Sequence, residues 1–282
     1  MEYALEIRDV SKQYPGFSLD HINFALPTGC IMGLIGENGA GKSTTIKLIL
    51  DLVKKDSGQI RVLGETLTTE SRALKEKVGV VMDECNFPEC MRIEEIGKMM
   101  KHCYRTWDAD KFQRYQKKFG LSSGKRVKDC SRGMKMKLTI AVALSHDSRL
   151  LILDEATSGL DPIVRDEILD IFLDYIQDEK NSILISSHII SDLEKICDYI
   201  TFLHEGKLIF SEEKSRLLET YSVLKCSGEE LQAVDPAAIA GIRRNSFGVE
   251  ALVRRSAVPE GLLQDAATIE DIMLYHVKKN DR

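Results

Sequence analysis

The sequence predicts an α/β fold in which a mostly parallel sheet is flanked by helices. Three observations predict it. Short apolar runs, CIMGLIG (30–36), LLILDEA (150–156) and SILISSH (182–188), fit strands buried on both faces. Segments of helical spacing lie between them, which implies right-handed βαβ crossovers. The first run also feeds a glycine-rich turn and then STTIKLILDLV, whose apolar residues recur at helical intervals.

Taken in order, ALEIRDV (4–10), SLDHINFAL (18–26) and GQIRVLG (58–64) read as strands, with β-branched residues and alternating faces. From about residue 85 to 132 the character turns helical. EEIGKMMKHCY and DADKFQRYQKKFG have helical spacing, and Asp108 suits the N-cap of the second. Between Lys111 and Lys137 stand ten basic residues and one acid, Asp129. They read as a solvated helical face, with an anion-binding surface as the other reading. A helix, IVRDEILDIFLDYIQ, separates the second and third buried strands, and DYITFLHEGKLIF follows the third. From about Tyr221 the chain reads as a small appendix with a strand-like FGVEALVRR and a closing helix, TIEDIMLYHV. No chemistry is visible in that part, and no internal repeat or low-complexity tract occurs anywhere.

Composition removes several function classes. The 282 residues carry 39 basic and 44 acidic side chains, a net charge of −5. That balance disfavours a general nucleic-acid binder. Apolar residues at 43% are enough to build a core, so dominant disorder is excluded. No stretch approaches the ~18–20 apolar residues that span a bilayer. The start, MEYALEIRDV, lacks a basic region followed by an apolar one, so no secretory signal is expected and the chain is placed in the cytoplasm. Seven cysteines, an odd number without a CxxC pair, fit reduced structural thiols.

The chemistry centres on GENGAGKS, residues 36–43, which matches G-x-x-x-x-G-K-S/T. A phosphate chain needs a backbone that wraps closely and points several N–H groups inward. Gly36, Gly39 and Gly41 permit that approach, with Glu37, Asn38 and Ala40 completing the loop, and the following helix adds its positive end. Lys42 would reach the β- and γ-phosphates. Ser43 would give an oxygen to Mg²⁺, and Thr44 an N–H or hydroxyl to the α-phosphate. Asp154 and Glu155 end a buried strand, at the sheet edge where open α/β sheets bind ligands. Asp154 would hold Mg²⁺ through its water shell, and Glu155 would orient and deprotonate water. His188 follows another strand of the same sheet, within reach of a γ-phosphate. Tyr14 is placed to stack on adenine or simply to pack at a strand end.

With these residues in view, the chain resembles the ATP-binding subunit of an ABC transporter. GENGAGKS resembles the Walker A loop, LLILDE Walker B with its catalytic glutamate, SGLD (158–161) the D-loop with Asp161, and His188 the switch histidine. CSRGM (130–134) resembles the ABC signature, usually LSGGQ. The likeness runs from about residue 3 to 210 and is greatest to bacterial cassettes serving export or drug-efflux permeases. It implies a P-loop NTPase core with an antiparallel β subdomain, a helical subdomain inserted at about 85–134, a cassette over 1–220 and an α/β appendix over 221–282. It also implies that Ser131 and Gly133 act on nucleotide held by a second subunit. A homodimer suffices, since every consensus-like residue is in one chain; a heterodimer with a similar cassette stays open. The expected partners are that subunit and a transmembrane permease, with no nucleic acid, and the expected ligands are ATP and Mg²⁺. The chain would sit peripherally on the inner membrane face through the permease. The alternative is a soluble ATP-gated ABC switch without a permease, although there is one glycine loop and neither a long coiled coil nor a zinc module. Two positions depart from the family pattern. Asp83 stands where glutamine is usual, and would still be a metal ligand. Arg132 and Met134 stand where Gly and Gln are usual.

Overall fold

The computed structural model describes residues 2–68, 70–245, 248–259 and 261–280. It opens with β1 (Tyr3–Tyr14), β2 (Phe17–Pro27), β3 (Ile31–Ile35), α1 (Lys42–Ile49), β4 (Ser57–Val62), α2 (Arg72–Lys75) and β5 (Val78–Val81). Three helices follow: α3 (Ile93–Cys103), α4 (Ala109–Lys118) and α5 (Arg132–Leu144). Next come β6 (Leu150–Asp154), α6 (Pro162–Tyr175), β7 (Ser182–Ser186), α7 (Ile190–Ile196), β8 (Tyr199–His204) and β9 (Lys207–Glu213). The chain continues through α8 (Lys214–Thr220), β10 (Tyr221–Cys226), α9 (Gly228–Leu231), β11 (Ile239–Asn245), β12 (Gly248–Arg254), β13 (Leu263–Ala266) and α10 (Ile269–Asn280).

Nine strands form one sheet in the order β4-β1-β2-β9-β8-β3-β7-β6-β5. Strand β3 pairs in parallel with β7 and β8, and β6 with β5 and β7. The sheet is mixed, because β9 pairs antiparallel with β8, and β1, β2 and β4 extend it as a further antiparallel region. A single parallel bridge, Asp20 with Lys207, joins that region to β9.

The continuous apolar strands are explained by two cores. In β6, Leu151 and Leu153 face one core, with α5, α6 and α7, while Leu150 and Ile152 face another, with α1, β1 and β4. Every residue of β3, β6 and β7 is buried, so alternation disappears from their sequence. Five strands thereby end together beside the glycine loop.

Helix does not begin near residue 85 but at Ile93. Pro88 interrupts the segment before it, since proline lacks an N–H and restricts its predecessor. Asp108 does cap α4, accepting from the Lys111 N–H at 2.8 Å. The ring of Phe112 lies against Gly97, where a Cβ would come within 2.7 Å of it, so α3 and α4 meet closely. Five cations of the basic stretch, Arg114, Lys118, Arg132, Lys135 and Lys137, pair with carboxylates outside it. Half of its cations are thus held in ion pairs.

The C-terminal part is richer in strands than its sequence suggests. Four strands form a second sheet, β11-β12-β10-β13. One face packs Leu224, Val249, Ala251 and Val253 with Leu231 and Val234. The other face meets α10, and Val223, Leu252, Ile269 and Ile272 join the main core. The Glu194 carboxylate on α7 also accepts from the Ile269 N–H at 2.7 Å.

Candidate nucleotide site

The glycine loop connects β3 to α1, as its spacing predicts. Two of its glycines are sterically required. A Cβ on Gly36 would lie 2.4 Å from the Leu203 carbonyl, and one on Gly41 would lie 2.5 Å from Leu19. Both have positive φ, +155° and +108°, as does Gly39 at +87°. The Lys42 ammonium is buried and donates to the carbonyls of Gly36 (2.8 Å) and Glu37 (3.2 Å). It therefore curls over the loop whose N–H groups line the N-terminal end of α1.

The carboxylates sit opposite. Asp154 is 4% exposed and accepts from the Ser43 hydroxyl at 3.3 Å and the Ser186 hydroxyl at 2.6 Å. Glu155 lies between two cationic or ionisable groups. Its Oε1 is 3.8 Å from Lys42 Nζ, and its Oε2 is 2.6 Å from His188 Nδ1. The Glu155 backbone has φ +53°, a left-handed conformation that non-glycine residues seldom adopt. It is held there by its N–H, which reaches both the carbonyl (3.2 Å) and the hydroxyl (3.1 Å) of Ser186. A strained backbone fixed by hydrogen bonds aims this carboxylate into the cavity.

That cavity has a volume of about 590 Å³ and is lined by Glu37, Asn38, Gly39, Gly41, Lys42, Ser43, Thr44, Asp83, Glu155 and His188. Residues from four separate segments thus converge as expected. Phe17 and Ser158 line it too, and neither was singled out from the sequence. Tyr14 lies outside this lining, 40% exposed with Lys12 Nζ 5.6 Å from its ring centroid. Phe17, across the turn, takes the place beside the loop. Gly36 and Ala40 shape the loop from behind, and Ala40 is buried.

Ser131, Gly133 and Asp161 do not line the cavity of their own chain. Ser131 caps α5, accepting from the Met134 N–H at 3.3 Å. Asp161 caps α6, accepting from the Val164 N–H at 3.0 Å. Gly133 leaves room around its Cα, the nearest side-chain atom to an added Cβ being 3.6 Å away. Ser186 is the residue that sequence reasoning missed most completely. It ends an apolar strand as Asp154 does, and the register aligns the two across β6 and β7.

The donor set suits a small hard cation. The buried Asp154 carboxylate and the Ser43 hydroxyl lie 3.3 Å apart, and Ser43 and Asp83 both line the cavity. Among the described residues no cluster of three or more His, Cys, Asp or Glu side chains could hold a metal by itself.

Fold and site together define a P-loop nucleotide-binding protein. Comparison narrows this further. The ABC transporter family matches residues 19–158. The chain is 34% identical to the bacitracin transport ATP-binding protein BcrA of Bacillus licheniformis, over 74% of this chain and 69% of that one. It is 32% identical to the ABC transporter ATP-binding protein YhcH of Bacillus subtilis, over 99% of this chain and 92% of that one. The solved structure of an ATP-binding subunit of an ABC transporter superposes with a TM-score of 0.69 and 27% identity, covering 76% of this chain and 91% of that one. The chain belongs to the ATP-binding subunits of ABC transporters. It is an ATPase that energises transport, and such subunits dimerise and work with permeases. No helix among the described residues is long and apolar enough to cross a membrane.

Proposed function

We propose that the chain hydrolyses ATP with Mg²⁺ at the 36–44 loop, as half of a head-to-tail dimer, to drive an export permease. The observation that carries this is Glu155, held by Lys42 on one side and His188 on the other. Phosphoryl transfer asks little covalent chemistry of a protein and much charge neutralisation and water alignment. Lys42 neutralises phosphate charge. Glu155 orients and deprotonates the attacking water, and His188 fixes that carboxylate while facing the γ-phosphate. Ser43 and Asp154, with Asp83, would hold Mg²⁺, which would supply charge neutralisation for the phosphates.

Ser131, Gly133 and Asp161, pointing elsewhere in their own chain, support a role on nucleotide in the partner subunit. Closure then depends on ATP, and opening on its hydrolysis. A homodimer supplies every part. Export is supported by likeness, at 31% identity, to the Nod factor export ATP-binding protein I of Burkholderia orbicola. The permease would dock at the irregular segment 84–91, and the chain would thus sit on the cytoplasmic face of the membrane. Phe87 and Met91 pack partly on the core there, and Pro88 is exposed.

Glu155→Gln tests the assignment. It should abolish turnover while retaining ATP and trapping a dimer on size-exclusion chromatography with ATP and Mg²⁺. Continued turnover with only monomer present would remove Glu155 as the base.

A further inference from the structure

Asp83 and Arg132 form an ion pair, Oδ1 to Nη2, at 3.0 Å. Its position is unusual. Asp83 lines the nucleotide cavity, and it also lines the adjacent groove of about 430 Å³ that Arg132 shares. One carboxylate therefore forms the wall between the two spaces, and Arg132 draws it toward the groove. The guanidinium is held on a second side as well. A Cβ on Gly159 would lie 2.7 Å from Arg132 Nη1 and 2.8 Å from its Cζ, so the planar group lies directly against that backbone. Gly159 follows Ser158, another lining residue of the nucleotide cavity. Arg132 thus joins three segments: the loop after β5, the first turn of α5 and the loop after β6.

We propose that Arg132 is a positioning residue that competes with magnesium–nucleotide for Asp83. The inference rests on the nucleotide reading above. The guanidinium holds the Asp83 carboxylate toward the groove. A divalent cation held on a triphosphate would be a rival partner for that carboxylate, and Arg132, at the start of α5 beside Ser131, would then be free of its ion pair with Asp83. Both side chains are about half exposed, so the pair is worth little more than other surface ion pairs, and exchange of partner is easy.

Calorimetric titration of ATP into the full-length chain at a series of Mg²⁺ concentrations tests this. All proteins carry Glu155→Gln so that ATP is not consumed. Adding Arg132→Gln should lower the Mg²⁺ concentration for half-maximal ATP binding by about two- to five-fold, the equivalent of a surface pair. With Asp83→Asn also present, Arg132→Gln should change nothing. The proposal is overturned if Arg132→Gln leaves the Mg²⁺ dependence unchanged. It is equally overturned if the shift survives Asp83→Asn, because a through-space charge effect would then explain it. Unaltered far-ultraviolet dichroism and melting establish that each variant is folded. If the parent protein binds no magnesium–ATP at all, the nucleotide reading falls and this inference falls with it.

Discussion

At the scale of the residue, two oxygen atoms of Ser186 organise the site. Its hydroxyl reaches the Asp154 carboxylate, and both its hydroxyl and its carbonyl receive the strained N–H of Glu155. Replacing it with alanine leaves a buried carboxylate short of a donor, a loss of about 1.5–3 kcal/mol for a hydrogen bond to charge. Ser186→Ala should therefore melt at lower temperature. Its kcat should fall further than its ATP affinity, since the Glu155 N–H loses one of its two acceptors while the loop loses nothing. Equal melting and unchanged kcat would show that the contacts are incidental. The residues of GENGAGKS were legible because their spacing is dictated by phosphate geometry. Ser186 was not, because its partner is set by the pairing of β6 with β7, a tertiary register that no local pattern records. Phe17 was missed for a similar reason. A turn decides which of two neighbouring aromatics, Tyr14 or Phe17, faces the loop.

At the scale of the element, the joints between subregions have specific contacts. Helix α10 rides so close to β11 that a Cβ on Gly241 would lie 2.2 Å from the Tyr275 carbonyl. Gly241→Ala should force the helix outward and cost about 1–3 kcal/mol by overpacking. Urea unfolding measures that loss, and an unchanged midpoint would show that the helix has slack. Near the base of α4, His146 stacks on Tyr104 with centroids 4.1 Å apart, and its Nδ1 lies 2.8 Å from the Glu76 carbonyl. Burial holds its pKa below the ordinary 6.5, against the raising effect of that carbonyl. The unfolded chain then takes up the proton first as pH falls. Stability should decline from about pH 6.5 downward, and the decline should end below the folded pKa. His146→Gln should flatten this dependence between pH 7 and 5, measured by urea midpoints. An identical slope in the variant would place the sensitivity elsewhere.

The helices were legible where amphipathic spacing was strong, as in α3 and α4. The start of α3 was not, because Pro88 breaks a stretch whose composition otherwise resembles helix. Of the second sheet only β12 was read from the sequence, because short edge strands such as β13, with all four residues exposed, carry no burial pattern.

At the scale of the whole molecule, the two-sided core explains both the fold and the position of the site. Strands buried on both faces have no free surface for chemistry, so function collects where they end. That link made the class of protein legible before any coordinates. The mixed character of the sheet was less so, because the antiparallel strands join it through a single bridge between distant residues, Asp20 and Lys207. Coupling to a permease belongs to this scale. Alanine substitution of Phe87, Pro88 and Met91 should uncouple transport from ATP hydrolysis in reconstituted vesicles while leaving soluble turnover largely intact. Parallel loss of both would argue against docking at this segment.

The central claim is that the amides around Lys42 grip a triphosphate whose metal is held by Ser43 and Asp154. Isothermal titration calorimetry of ATP, with and without Mg²⁺, against the intact chain and Lys42→Ala tests it most directly. Saturable heat that requires Mg²⁺ and vanishes with the lysine is the predicted result. Heat that is absent from the intact chain, or indifferent to both the metal and Lys42, would contradict it.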